Sequence, residues 1–466
     1  MKEIKEKIYF GLQDINNELR GWAWELGGSV GWIIFFFVFA VVASFSIIFY
    51  PPRNVLLMTV SILWMIAILL KPHLGVYAYY VIEIIGVQYL VWTAPPRLAL
   101  YIALTTAVGA SMYFLKTQAK FVSAIQNKYI LLLWILLVIS AYFAPSKTTA
   151  LEGLEQYTNI FIFYFISINL INSKKQFKYA VLIFTGCFTL LALRGVRQYM
   201  HGSTYFTGIG GLSGDDNTTY GLCLVMGLPF VFYPFIFVKS KIIKVIGKGF
   251  IFPFLVVTTI CTFSRGALLG LIPVMFFIIL HSKRKIMTLI LIIILSIGAY
   301  YITPQKMKER AETIKTYQEE GSAMQRINAW QSGLKMIKDY PVMGVGLRCF
   351  GFYSWNYSKG GVGSKGLVAH NSFISMAAEN GLIAFTVWML LIITSFYETW
   401  KLKKRFKNSQ DASWIISSAN LIQASLSGYM VSAFFLTREG FEFLYFLFGL
   451  TVMLKNITKS KEKDLQ

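Results

Sequence analysis

Charged residues are scarce in this sequence, at 14% of its 466 residues, against roughly a quarter in soluble domains. With 56% hydrophobic and 16% aromatic residues and a mean hydropathy of +0.58, that scarcity excludes a water-soluble fold. It predicts an all-α, polytopic integral membrane protein. Cysteine is nearly absent. Cys187, Cys223 and Cys261 fall in apolar runs and Cys349 stands alone in a polar stretch, so neither a disulfide framework nor a zinc site is indicated. No HExxH, phosphate-binding Walker loop or G-x-S-x-G elbow occurs, which removes the metalloprotease, nucleotide-hydrolase and serine-hydrolase readings. Acidic residues number only 22 against 44 basic ones, for a net charge of +22. Nucleic acid does not explain the excess, because most lysines sit in short connectors between apolar runs, as the positive-inside rule requires.

A membrane-crossing helix needs about 20 apolar residues, and up to fourteen such runs can be placed. The expected organisation is a cytoplasmic amphipathic head over 1–29, a transmembrane bundle over 30–303 and a long extracytoplasmic loop over 304–377. C-terminal transmembrane helices over 378–455 and a cytoplasmic tail over 456–466 complete it. The head has Ile4, Ile8, Leu12, Ile15, Leu19 and Trp22 at helical spacing, the pattern of a helix lying on a membrane surface. Twelve to fourteen spans follow from the apolar runs, and no internal repeat is visible. In the long loop, Ser322 to Gln325 reads as a capping box. Ile327, Trp330, Leu334 and Ile337 follow on one predicted helical face, up to Pro341.

The lysine-rich connectors, such as Lys174-Lys175-Lys178 and Lys401-Lys403-Lys404, all fall on one side and fix the orientation. Arginine does the opposite. Only Arg20, Arg284 and Arg405 lie inside, whereas Arg53, Arg97, Arg194, Arg197, Arg265, Arg310, Arg326, Arg348 and Arg438 lie outside. Topology gives no reason for outer arginine, but phosphate does, since the guanidinium fork matches two phosphate oxygens at once. His370 stands in the long outer loop just before an apolar run, and nearby positive charge would keep its imidazole neutral and able to accept a proton. His201 is the rival; His73 and His281 fall inside. Asp215-Asp216-Asn217-Thr218 reads as a turn and helix cap rather than a metal site.

Four pieces of sequence, in order, resemble the O-antigen ligase superfamily of lipopolysaccharide O-antigen ligases, Wzy-type polymerases and O-glycosylation ligases. They are Gly214 to Met226, Ser264-Arg265-Gly266-Ala267, Arg326 to Trp330 running into Pro341 to Gly346, and His370-Asn371 with Glu379-Asn380-Gly381. The resemblance implies a GT-C-like, inverting, metal-independent glycosyltransferase of the bacterial inner membrane with its active site on the periplasmic face and no cofactor. The implied donor is a glycan on undecaprenyl diphosphate, and the acceptor a glycan, lipid or protein hydroxyl. By motif position His370 is the implied catalytic base, with Arg265 catalytic and at the diphosphate beside Arg326. Arg97, Arg194 and Arg197 are further candidates for the diphosphate, with Asn371, Glu379 and Arg348 in support.

A polymerase joining repeat units would use the same residues. A lipid-linked oligosaccharide flippase would instead need charges lining a path across the membrane, whereas here they gather at one face. The orientation is directly testable. A single cysteine at Lys359 should react with an impermeant thiol reagent added from the extracytoplasmic side; labelling only from the cytoplasm would overturn the outer placement of His370.

Overall fold

The computed structural model describes residues 52–86, 98–203, 206–208, 211–282, 285–286, 301, 321–357, 368–409 and 412–464. The expected head over 1–29, the spans at 30–50 and 286–303, residues 302–320 and Arg97 therefore lie wholly or almost wholly outside the described residues. Among the described residues the chain is helical throughout, without strands. The helices are α1 (Pro52–Leu70), α2 (His73–Ile85), α3 (Leu98–Thr117), α4 (Ile125–Phe143), α5 (Lys147–Leu170), α6 (Lys174–Met200) and α7 (Asn217–Phe232). They continue with α8 (Lys241–Ile260), whose Gly247–Ile251 turn is π-helical, and α9 (Arg265–His281). The C-terminal part holds α10 (Gly321–Asp339), α11 (Phe350–Tyr357), α12 (Ser372–Arg405), α13 (Ala412–Ser432) and α14 (Glu442–Asp464).

Six of these, α3, α4, α6, α7, α8 and α12, contain segments long and apolar enough to cross a membrane. Each of the six overlaps a run read from the sequence, which supports the polytopic membrane reading. The apolar runs mislead at element ends, where polar residues also favour helix. Thus α5 starts at Lys147 rather than near 155, and α14 runs through its Lys- and Glu-rich last turns to Asp464, residues with good helix propensity.

α7 is the innermost element. Thr219 to Val231 are all buried, so this helix, apolar on every side, sees only protein. Its neighbours are admitted by small residues. Gly221 lies against Ala267 of α9, and Gly270 of α9 lies against Ser432 and the Gly428 carbonyl of α13. Close backbone approach of this kind packs helices where lipid removes the hydrophobic drive to associate. Around α14, Phe443 meets Phe184, Phe188 and Phe230 at ring-centroid distances of 5.5, 5.3 and 5.4 Å, tying α6, α7 and α14 together through aromatic edges and faces.

Helices alternate in direction, so the bundle has two unlike ends. Lys174, Lys175, Lys241, Lys401, Lys403 and Lys404 lie at one end, where Lys403 donates to Gln423 Oε1 (3.0 Å) and Lys455 pairs with Glu398 (2.7 Å). His370 lies at the other, roughly 50 Å along α12 by helical rise. Helix α10 covers that second end. Its buried residues are Ala329, Ser332, Gly333 and Met336, while Leu334 is 58% exposed. The packed face thus lies beside the predicted stripe: Ile337 packs with Met336, Val345 and Phe350 while Leu334 points outward, and Gly333 sits directly on Ile374 and Phe350, where only a small residue fits.

Within α12 the helix breaks at Gly381 (φ 82°, ψ 167°). A Cβ there would lie 1.9 Å from the Val342 carbonyl oxygen, and the left-handed φ adds strain for any other residue. Gly381→Ala should therefore lower the thermal unfolding midpoint of the purified protein, by about 2 kcal/mol or more in stability. Gly186→Ala on α6, where nothing lies within 4 Å of the added Cβ, should leave it unchanged or raise it.

Candidate active site

The break at Gly381 builds the site's frame. Leu382 N–H, which in an unbroken helix would reach Ala378, instead donates to Pro341 O (2.8 Å). The freed carbonyls of Ala378 and Glu379 accept from Val345 N–H (2.8 Å) and Gly346 N–H (2.9 Å). Ser140 of α4 also donates to the Glu379 carbonyl (3.0 Å). The Glu379 carboxylate, 5% exposed, accepts from the backbone N–H groups of Arg348 (3.0 Å) and Phe350 (3.1 Å). Gly344, at φ +69°, makes this approach possible, since a Cβ there would fall 2.3 Å from the Glu379 carbonyl. The Pro341–Gly346 and Glu379–Gly381 motifs are therefore two halves of one joint, with Glu379 its anchor.

His370 stands immediately before this joint. Asn371, 4% exposed, caps α12 by accepting from Phe373 and Ile374 N–H (2.9 and 3.1 Å). The capping turn leaves His370 exposed in the left-handed region at φ 48°, a conformation that histidine tolerates better than most residues. Arg348 (φ 55°) and Phe263 (φ 51°), which precedes Ser264 and Arg265, share that unusual geometry at the same end of the bundle. Partial desolvation of the ring, and behind it the Arg326 guanidinium, hold the His370 imidazole below its ordinary pKa. Arg326 and His370 are thus brought together, and the imidazole is biased toward its neutral, proton-accepting form.

Arg265 is the first residue of α9, where Ser264 Oγ accepts from Ala267 N–H (3.3 Å). Its neighbour Gly266 packs against Phe435, and the Gly266 carbonyl accepts from Ser432 Oγ (3.0 Å). The same Ser432–Phe441 segment touches the start of α12: Ser372 Oγ donates to Leu436 O (2.7 Å) and accepts from Arg438 N–H (2.9 Å). It reaches α7 through Arg438, whose Nη2 donates to Thr219 Oγ1 (2.7 Å) and faces Asp216 Oδ2 (3.5 Å). As expected, Asp216 caps α7, accepting from Thr218 and Thr219 N–H at 2.8 Å each. Burial opposes its ionisation, but those hydrogen bonds and Arg438 outweigh it and hold the carboxyl below the usual range. The N-termini of α7, α9, α12 and α14 therefore all abut one segment, each presenting about half a positive charge from its backbone.

Between α5, the 347–351 turn and this segment lies a polar cavity of about 650 Å³, within the range of ligand sites. Arg348, Arg438, Glu83, Glu379, Glu439 and Glu442 line it, with Val368 and Ala369 from the His370 loop. Arg348 reaches Gln156 Oε1 across its rim.

The remaining candidates are less central. Arg194 donates through Nε to Thr207 O (3.1 Å) and through Nη2 to Gly208 O (2.8 Å), so its bidentate edge holds a loop. Arg197 is exposed, and its carbonyl bonds the ring of His201 (2.8 Å). Reading the sequence counted Arg438 among the outer arginines without giving it a role, and it missed Glu439. The signal was present, since Thr437-Arg438-Glu439-Gly440 puts polar residues between two apolar runs just as Ser264-Arg265-Gly266 does.

In a histidine-labelled sample, the His370 imidazole should titrate below about 6.5, and Arg326→Gln should move its midpoint upward, because removing a positive neighbour favours the imidazolium. An unmoved midpoint would separate the two residues. Residues 250–389 match the family described as O-antigen ligase. No curated protein matches the chain.

Proposed function

We propose, from the match of residues 250–389 to the O-antigen ligase family, that this chain is a membrane enzyme of the O-antigen ligase superfamily and an inverting glycosyltransferase. It moves a glycan from undecaprenyl diphosphate to an acceptor hydroxyl at the extracytoplasmic face of the bacterial inner membrane. The observation that supports this best is the gathering of His370, Arg326, Arg265, Arg438 and four helix N-termini at the end of the bundle opposite the lysines.

On this reading the His370 imidazole takes the proton of the acceptor hydroxyl as that oxygen attacks the anomeric carbon. The bond from that carbon to the diphosphate breaks, and its electron pair leaves with the lipid diphosphate. Arg265 and Arg326, with the helix ends, neutralise the developing charge, a role that positioned dipoles and guanidinium groups perform well where water is excluded. The imidazolium then returns its proton to solvent. Glu379 and Asn371 act through structure, by fixing the loop and the helix start on either side of His370. A repeat-unit polymerase would use the same step, and the acceptor decides between them.

Purified protein supplied with lipid-linked glycan should transfer it to one class of acceptor. His370→Ala should reduce that transfer by about 10²- to 10⁴-fold with donor binding retained. Arg265→Lys keeps the charge but loses the fork, so it should weaken both donor binding and transfer, while Arg53→Lys should do neither. Near-normal transfer by His370→Ala, or equal behaviour of the two lysine variants, would sink the assigned roles.

A further inference from the structure

At the lysine-rich end of the bundle, away from the candidate active site, two cavities adjoin along one helix. The first, of about 340 Å³, lies where the α1–α2 turn meets the α5–α6 turn. Lys71, His73 and Lys175 line it together with Tyr77, Tyr113 and Tyr179, and no Asp or Glu does. Its floor is tied by internal hydrogen bonds. The Tyr77 hydroxyl donates to Gln176 O (2.9 Å), and Gln176 Oε1 accepts from Asn172 and Ser173 N–H (3.1 and 3.2 Å). The turn is thus fixed by its own groups, and the lining that remains is basic.

The second cavity, of about 410 Å³, is almost wholly apolar. Val60 and Trp64 of α1, Val81 and Ile82 of α2, Ile102 of α3 and Ile183 of α6 form it. Leu74 and Tyr77 line both spaces. His73, Leu74, Tyr77, Ala78 and Val81 follow one another at helical steps, so a single face of α2 runs from the basic space into the apolar one. From Leu74 to Ile82 this face descends roughly 12 Å by helical rise. That is most of one leaflet's share of a hydrocarbon layer about 30 Å thick. Val60 is 49% exposed, so the groove opens sideways from the bundle.

A basic mouth that continues into an apolar groove fits an amphiphile. A soluble anion would fill the first space and leave the second empty. A choline headgroup would find aromatic rings, but also two lysines with no carboxylate in the lining to offset them. We propose that the paired cavities bind one glycerophospholipid of net negative headgroup from the leaflet at the lysine-rich end. Its phosphate sits between Lys71 and Lys175 with His73 as a further donor, and one acyl chain lies along the α2 face. The site is independent of the transferase reading and lies at the opposite end of the bundle from His370.

The test titrates purified full-length protein in uncharged detergent with phosphatidylglycerol, phosphatidylcholine or glycerol phosphate, and counts bound molecules by native mass spectrometry. One phosphatidylglycerol per chain should bind, about tenfold more tightly than phosphatidylcholine. Glycerol phosphate, which has the charge but no chain, should bind more weakly still. The double variant Lys71→Gln/Lys175→Gln should weaken phosphatidylglycerol binding by about tenfold or more and remove the preference over phosphatidylcholine. Ala78→Phe keeps both lysines and fills the groove, so it should weaken both lipids and leave glycerol phosphate unchanged. Unfolding midpoints measured without added lipid identify which variants are folded, and the lysine variant alone decides the matter if Ala78→Phe is not. Equal binding of the two lipids, unaltered by the lysine variant, would mean general lipid contact only and overturn the site. Glycerol phosphate binding as tightly as phosphatidylglycerol would assign the lysines to a soluble phosphate and overturn the lipid.

Discussion

One helix break holds the candidate site together. An unbroken α12 would bury its Ala378 and Glu379 carbonyls in its own ladder, and the 341–346 stretch would have nothing to pair with. Gly381 hands those carbonyls to Val345 and Gly346 and takes Pro341 O in return. The Glu379 side chain then ties down Arg348 and Phe350. A membrane-embedded helix can give up intrahelical bonds only when other backbone replaces them at the same depth, since an unsatisfied peptide group is costly away from water. The joint supplies three such replacements, at Leu382, Ala378 and Glu379. His370, Arg348 and the cavity wall all inherit their positions from it.

Much of this was legible in residue order. Asp216 as a cap, the polar run 339–381 as the organising stretch and the helix preceding Pro341 follow from local chemistry, and local chemistry survives folding. The family resemblance likewise drew attention to Glu379-Asn380-Gly381 and Pro341 to Gly346, although nothing in the sequence says that these two motifs are each other's partners. That pairing spans more than thirty residues and exists only because α12 breaks. The acidic cavity was illegible for the same reason. Glu83 comes from α2, Gln156 and Tyr157 from α5, Glu439 from the last connector and Glu442 from the start of α14, so no window of sequence contains the site. Arg194 shows the converse limit. Its position at the end of an apolar run suggested a phosphate clamp, yet its fork is occupied by the carbonyls of Thr207 and Gly208, partners that composition cannot reveal. In α10, apolar periodicity located the helix, with Ile337 packed and Leu334 outward, but it gave no sign that Gly333 makes the closest approach.

The two ends of the bundle are both positive, but the charge is carried differently. Lysines at one end are long, flexible and hydrated, suited to an interface crowded with anionic headgroups. At the other end the charge is held by guanidinium groups and by peptide dipoles at capped helix starts, which are fixed in direction before any ligand arrives. Fixed charge of that kind loses little to reorganisation when a substrate becomes more negative during a reaction.

This difference in carriers has a consequence for control by protons. Guanidinium groups and peptide dipoles do not titrate anywhere near neutrality, whereas the imidazole of His370 does, and its depressed pKa places its change of state on the acid side. On the proposed reading, acidification would therefore leave the grip on a lipid diphosphate intact while silencing the base beside it. The enzyme would stay loaded and idle, and would resume without having to reacquire its donor once the external pH recovered. Retention of substrate and readiness to react would answer to different parts of the molecule, and only the second would sense acidity outside the cell.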